Sequence, residues 1–327
     1  MTIQPEDHDR ALELLHRTDE ILSQRVVGQA RLRRTLLVTL LAGGHALLES
    51  VPGLAKTTAA HALAASVSGT FHRIQCTPDL MPNDIVGTQI YNYGTGEFTT
   101  QLGPVHANVV LLDEINRSSA KTQAAMLEAM QERQTTIGGR EYRLPSPFLV
   151  IATQNPIEEE GTYVLPEAQM DRFLVKVVVG YPAPSDETEV LARVIDGRQE
   201  APLETEPLTL DELEWLIDLT SQVRVDPAIS QYVVDIVNTT RGGGPRPVEQ
   251  VRDLVRVGAS PRGSIGLVKI AQAVALTSGR GFVVPEDVKE LRHEVLRHRI
   301  VRTFDALADG VPPEHIVDLA FGAVQAP

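Results

Sequence analysis

The sequence predicts an α/β fold, a parallel sheet covered by helices, followed by a smaller all-helical unit. Three observations carry this. Between residues 45 and 180, short continuous apolar runs alternate with helical patterns, as strands buried on both faces of a parallel sheet require. The first of these runs leads through a Pro-Gly turn and Lys-Thr-Thr into an Ala-rich helix, "HALLESVPGLAKTTAAHALA", the order of strand, phosphate loop and helix. Beyond "YPAP" at 181–184 the periodic segments are helical only, which sets a boundary near residue 183.

Two units are expected, 1–183 and 184–327, because 327 residues exceed the usual span of one core. Asp9 to Gln24 carries Leu12, Leu15 and Leu22 at helical spacing, and "ARLRRTLLVTLLAGG" reads as a second helix stopped by Gly43 and Gly44. His45–Ser50 is the first strand, and "AKTTAAHALAASVSG" the helix after it. "FHRIQC", "NVVLLDE", "PFLVIATQNP" and "FLVKVVVG" read as further strands. "SSAKTQAAMLEAMQERQ" is a helix capped by Ser118 or Ser119, with Met126, Leu127 and Met130 on one face. In the second unit, Asp226-Pro227 and Val284-Pro285-Glu286 mark helix starts.

Composition narrows the function classes. With 43% apolar and 22% charged residues, the chain has the balance of a globular protein. Its net charge of −13 repels nucleic acid and anionic membrane over the surface as a whole. "MTIQPEDHDR" lacks a charged-then-apolar leader pattern, and no apolar run nears the roughly 18 residues of a span. A cytoplasmic location is therefore expected, and the sole cysteine, Cys76, is expected to be core filler.

The loop raises a chemical question. A phosphate loop surrounds anionic oxygens with backbone N–H groups, while a lysine neutralises the outer phosphates and a hydroxyl holds magnesium. Lys56 and Thr57 occupy those two positions, but GxxxxGK[ST] places glycine where this chain has Ser50 and Ala55. "VPGLAKT" can thus be a nucleotide loop or an ordinary strand-to-helix turn.

"NVVLLDEINR" ends a buried strand in Asp113-Glu114, at the sheet edge where ligands of α/β folds gather. If the loop holds a nucleotide, Asp113 holds magnesium and Glu114 orients the attacking water. Alone, such an acid pair is only a solvated loop start. "FLVIATQNP" ends in Thr153, Gln154 and Asn155, which can orient a water or simply form a turn.

Taken together, "VVGQ", "VPGLAKT", "GPVHANVVLLDEINRSSAKTQAAMLEAMQERQ", "PFLVIATQNPIEEEGTYVLPEAQMDRF" and "VGASPRG" resemble the MoxR family of AAA+ ATPases over nearly the whole chain. The resemblance implies a P-loop NTPase core with a parallel sheet and a helical lid. It admits the PGLAKT loop as a working variant. It implies adenine near Val27 and Gly28, and a nucleotide wrapped by Val51, Pro52, Gly53, Leu54, Ala55, Lys56, Thr57 and Thr58. Thr57 and Asp113 then hold Mg2+, Glu114 is the catalytic glutamate and Asn155 the γ-phosphate sensor. Arg172 resembles the arginine finger that reaches the ATP of a neighbouring subunit, and Arg262 the second sensor on the lid; the plain alternative for each is a surface ion pair.

The family implies ATP/ADP as ligand, a homo-oligomeric ring, a hexamer, a partner with a von Willebrand A domain, and a client protein that is remodelled or given its cofactor or metal. "IYNYGTGEFTT" and "QTTIGGREYRL" resemble its two hairpin inserts, whose aromatics Tyr91, Tyr93, Phe98 and Tyr142 are expected to pack those hairpins. Two other functions are weighed. A nucleic-acid motor would use Arg133, Arg140 and Arg143, against the acidic charge, and a scaffold without turnover would follow from Ser50 and Ala55. The nine histidines show no metal-binding spacing, and those such as His293 and His298 are expected on helix surfaces.

Overall fold

The fold comes from a computed structural model, which describes residues 3–51, 54, 56–156, 163, 165–197 and 203–327. Helix α1 (Pro5–Arg25) begins with proline in its first turn, places Glu6 and Asp7 at its start and ends on Arg25. Both charge placements suit the helix dipole. Helix α2 (Ala30–Leu41) runs into Gly43, whose φ of 61° ends it in the left-handed region.

The core follows in chain order. Strand β1 (Ala46–Glu49) leads to α3 (Lys56–Ala65), then β2 (Phe71–Gln75), α4 (Pro82–Val86) and the antiparallel hairpin β3 (Gly87–Asn92) with β4 (Glu97–Leu102). Next come β5 (Val109–Asp113), α5 (Ala120–Glu132), and a second hairpin, β6 (Gln134–Ile137) with β7 (Arg140–Arg143). Strand β8 (Leu149–Gln154), the short α6 (Glu167–Met170), β9 (Val175–Val178) and α7 (Pro184–Ile195) complete it. Five strands form one sheet in the order β2-β5-β8-β1-β9, and every pairing is parallel. Leu47, Leu48, Leu111, Leu112 and Ile151 have no exposed surface. Cutting one such leucine to alanine costs about 2–5 kcal/mol through lost burial and the cavity left behind.

The remaining helices are α8 (Leu210–Gln222), α9 (Pro227–Thr239), α10 (Glu249–Leu254), α11 (Pro261–Thr277), α12 (Pro285–Glu290), α13 (Arg292–Leu296), α14 (Phe304–Ala308) and α15 (Pro313–Ala323). Asp226 caps α9 by accepting the Ala228 N–H at 3.0 Å. The helical unit is interrupted by one small antiparallel ladder, β10 (Val255–Val257) with β11 (Val301–Arg302). Three β-branched valines fit that extended pairing.

The two units are clamped together. Arg31 on α2 reaches Glu294 on α13 through two bonds, 2.6 and 2.8 Å, and one apolar core runs from α1 and α2 through the sheet into α11. Among the described residues, no helix is long and apolar enough to cross a membrane.

Candidate nucleotide site

A parallel sheet puts the carboxyl ends of all its strands on one edge. Here that edge collects the ends of β1, β8, β5 and β2, and a chain of hydrogen bonds links them. The Lys56 ammonium, at the start of α3, donates to the carbonyls of Ser50 (2.8 Å) and Gln154 (3.3 Å). One residue back on β8, the Thr153 hydroxyl donates to Asp113 Oδ1 at 2.7 Å and accepts the Glu114 N–H at 2.9 Å. Gln75, at the end of β2, donates to Glu114 Oε2 at 3.1 Å. The lysine and the acid pair, 57 residues apart in sequence, therefore share one polar network.

Glu114 sits at φ 58°, a left-handed conformation unusual for a residue with a side chain. It ends the strand abruptly, and the Thr153 hydroxyl holds its backbone there. Its carboxylate is further oriented by Arg117 at 3.3 Å. The side chain is thus held just beyond the strand end by Gln75 and Arg117.

Asp113 carries a resident counter-charge, the Arg73 guanidinium 2.5 Å from Oδ2. Arg73 and Gln75 were not identified from the sequence as site residues. Their signal was the alternation of β2, since positions two apart share one face of a strand. The donor set suits magnesium, which favours hard oxygen ligands. Thr57 offers a hydroxyl with no hydrogen-bond partner among the described residues, and Asp113 a carboxylate already stabilising a cation. Arg73 would have to leave Oδ2 for a metal to bind there, and its half-exposed side chain has room to do so.

The predicted loop is only partly described. Pro52, Gly53 and Ala55 lie outside the described residues, as do 157–162 and 164 of the "PIEEEGTYV" block. Ser50 is buried, donates its hydroxyl to the Val51 carbonyl at 2.9 Å and has no left-handed backbone, so the position does not demand glycine. Val51, Leu54, Thr57 and Thr58 are half-buried around the start of α3. Asn155 is buried just past β8, where its carbonyl accepts from Asn116 at 3.3 Å.

Val27 and Gly28 also reach the carboxyl edge. Gln29 donates to the Gly180 carbonyl, just past β9, at 2.8 Å. Gly28 has φ 62°, and a Cβ there would lie 2.3 Å from Asp186 Oδ2. Both conformation and space therefore require glycine.

Arg172 and Arg262 do not join this group. They line one cleft with Gly43, Gly44 and His45, residues that precede β1, whereas Lys56 follows it. At ~3.3 Å per residue, the length of β1 and its flanks puts about 15 Å between the two edges. The two predicted arginines are brought together with each other, at the amino edge of the sheet.

That edge is anchored by residues the sequence reading passed over. Arg299 is almost fully buried and donates to Asp171 Oδ1 (2.9 Å) and to the carbonyls of Leu174 (3.1 Å) and Phe173 (2.6 Å). Burial lowers its pKa to about 10, with Asp171 acting against that shift. His298 contacts the Phe173 carbonyl at 3.0 Å. His298, expected on a helix surface, is instead buried, as is His45 at the head of the strand expected from 45 to 50. Desolvation, with Arg299 nearby, holds His298 well below the usual imidazole range. Burial first, then the charge of Arg133, lowers His45 to about 3. His45 Nδ1 accepts the Val150 N–H at 3.0 Å, so the ring ties β1 to β8 in its neutral form.

The hairpins form as expected, and touch through Thr100 and the Tyr142 hydroxyl at 3.0 Å. Tyr91 meets Tyr93 edge to face and Phe98 at a tilt, each at 5.1 Å between ring centroids, yet Tyr93 remains 92% exposed. The aromatics therefore pack one another without being covered. Arg133, weighed as a nucleic-acid contact, is instead structural: it donates to the carbonyls of Phe148 (3.0 Å) and Gly43 (2.9 Å).

The chain is similar to known proteins along most of its length. A family model described as "ATPase family associated with various cellular activities (AAA)" matches residues 45–175, and an "AAA lid domain" model matches 249–319. Chaperone MoxR1 of Mycobacterium tuberculosis is 50% identical over 92% of this chain and 79% of its own. Protein YeaC of Bacillus subtilis is 44% identical over 96% and 95%, and protein MoxR of Methylorubrum extorquens 33% over 87% and 86%. A crystal structure from Cytophaga hutchinsonii, titled provisionally as an ATPase, superposes with a TM-score of 0.91 at 39% identity, covering 98% of this chain and 97% of that one.

Proposed function

The chain belongs to the MoxR family of AAA+ ATPases, and from that premise we propose that it hydrolyses ATP with magnesium in a ring whose every site is completed by a neighbouring copy. In this reading, residues 1–183 are the nucleotide-binding unit and 184–327 the lid. Val27 and Gly28 flank the base, and the loop from Val51 to Ala55, with Lys56, Thr57 and Thr58, surrounds the phosphates. Thr57 and Asp113 hold Mg2+, which supplies charge neutralisation on the phosphates when bound. Glu114 orients the attacking water and receives its proton, and Asn155 stands beside the γ-phosphate. The observation that carries the reading is the meeting on β8 of Lys56, bonded to the Gln154 carbonyl, with Asp113 and Glu114, bonded to the adjacent Thr153 hydroxyl.

The location of Arg172 and Arg262 supports a shared site. At the amino edge they lie too far from their own Lys56 to serve its nucleotide, and a head-to-tail contact would carry them to the carboxyl edge of the next copy. Such heterologous contacts close into rings, and we take the ring as a hexamer. The cycle then drives remodelling or maturation of a client protein in the cytoplasm, with a von Willebrand A domain protein as partner.

Phosphate release by the wild type and by Glu114→Gln tests the hydrolytic reading. Wild type is expected to turn over with magnesium, while the variant binds ATP and releases phosphate about 10²–10⁴-fold more slowly. Equal phosphate release by both would refute it. Binding without release by either would favour the scaffold.

A further inference from the structure

Besides Arg299, which is paired with Asp171, the cleft that holds Arg172 and Arg262 is lined by a third cation with no carboxylate partner among the described residues. Lys269 lies on α11 seven residues after Arg262, and both line the cleft with Ile265 and Gly266. Spacings of three, four and seven put all four on one helix face. The helix docks closely because position 266 lacks a side chain: a Cβ there would lie 3.1 Å from Val295 Cγ1 and 3.3 Å from Leu174 Cδ1. Gly44 opens the opposite wall, where a Cβ would come within 2.3 Å of Leu174 Cδ2. The two glycines thus let the lid helix settle on the turn that carries Arg172.

Among the described residues, the cationic charge in this cleft exceeds its carboxylate. Among the described residues, Arg172, Arg262 and Lys269 make no ion pair; Arg262 donates only to the neutral amide of Gln131, at 3.2 Å. The one carboxylate lining the cleft, Asp171, is engaged by Arg299 at 2.9 Å and by Ser260 at 2.8 Å. In a chain of net charge −13, leaving three like charges together is unfavourable unless an anion arrives to meet them. Along the helix, Arg262 and Lys269 are about 10 Å apart, so they can address different parts of an extended polyanion.

We infer that Lys269 is a third contact, beside Arg172 and Arg262, that each copy extends to the polyphosphate held by its neighbour. This rests on the shared-site reading above. Lys269 binds charge that is present before and after bond cleavage, so its contribution is to affinity. Arg172, which meets charge developing on the γ-phosphate, acts on rate.

Two co-expressed, separately tagged chains test this in purified mixed rings. The donor carries Glu114→Gln, which silences its own site and leaves its cationic cleft intact. The acceptor carries Arg172→Ala and keeps a working site. The parental mixture is expected to hydrolyse ATP well above either variant alone. Adding Lys269→Gln to the donor raises KM for ATP about tenfold, the weight of one charge-assisted hydrogen bond, with kcat within about twofold. Lys269→Arg on the donor restores KM. The same Lys269→Gln on the acceptor, whose cleft faces a silenced site, leaves the parental KM. An effect that is absent, or equal on either chain, overturns the role of Lys269 while the shared site stands. A parental mixture no more active than its components overturns the shared site, and this inference with it.

Discussion

The two edges of the central sheet are built on opposite plans. At the carboxyl edge, acids and hydroxyls converge: Asp113, Glu114, Thr153 and Gln75 hold one another, with Arg73 standing in as counter-charge. At the amino edge, cations outnumber acids, and the one carboxylate that lines the cleft among the described residues, Asp171, is committed to Arg299. Each edge carries half of what a phosphoryl-transfer site needs. The acidic edge can hold metal and activate water but has no free arginine for the γ-phosphate among its described residues. The cationic edge has the arginines and no water-activating group. On the proposed reading, their separation within one chain would make two copies the smallest unit that joins Arg172 to a metal-holding, water-activating edge.

The largest expected effect breaks this division at the amino edge. Arg172→Ala should lower kcat about 10³–10⁵-fold, the range for an arginine that stabilises transferring phosphate, with ATP binding at Lys56 preserved. Phosphate release and equilibrium nucleotide binding, measured side by side, separate the two. A surface ion pair would show almost no change in either.

Next in size is the anchor beneath the cleft. Arg299→Met leaves Asp171 without its buried partner and removes donors from the carbonyls of Leu174 and Phe173, which should cost about 3–5 kcal/mol. Denaturant unfolding measures it, with loss of hydrolysis as the turn bearing Arg172 loosens. The carboxyl edge should be untouched, so nucleotide binding by the folded fraction should persist.

A smaller effect separates the edges by pH. His45 and His298 are held neutral at the amino edge, so their folded pKa values lie below the ordinary 6.5. The unfolded chain then binds more protons, and the stability these groups contribute is complete above pH 6.5 and lost as pH falls toward the folded values. For His45, with its folded value at about 3, the loss by pH 5 is about 2 kcal/mol, and His45→Gln should flatten that slope in unfolding midpoints across pH 7 to 5. The smallest is local. Ser119 accepts the Thr122 N–H at 3.3 Å as the cap of α5, and Ser119→Ala should cost about 1 kcal/mol with no change in turnover.

The contrast between edges also explains what could be read from sequence. The carboxyl edge was legible because its chemistry is local: Lys56 and Thr57 adjoin one turn, and Asp113 and Glu114 end one apolar strand. The strands, both hairpins and the capped start of α5 follow from short-range patterns of the same kind. Arg73 and Gln75 escaped because nothing local tells which face of β2 meets β5. The amino edge is assembled over long separations, with Arg299 reaching Asp171 across 128 residues. No spacing rule connects them. His298 read as a surface residue because five residues from His293 fits no ligand pattern, and its burial depends on how the lid seats against Phe173. Lys269 had no motif at all, and only the close approach at Gly266 places it beside Arg172.

The central claim is that acid edge and cationic edge meet between copies. Phosphate release per chain, followed with magnesium and saturating ATP as the protein is diluted through its assembly range, tests this most directly. The account predicts a per-chain rate that falls steeply as rings dissociate, at unchanged ATP occupancy of the remaining monomers. A per-chain rate that stays constant down to the isolated monomer would contradict it.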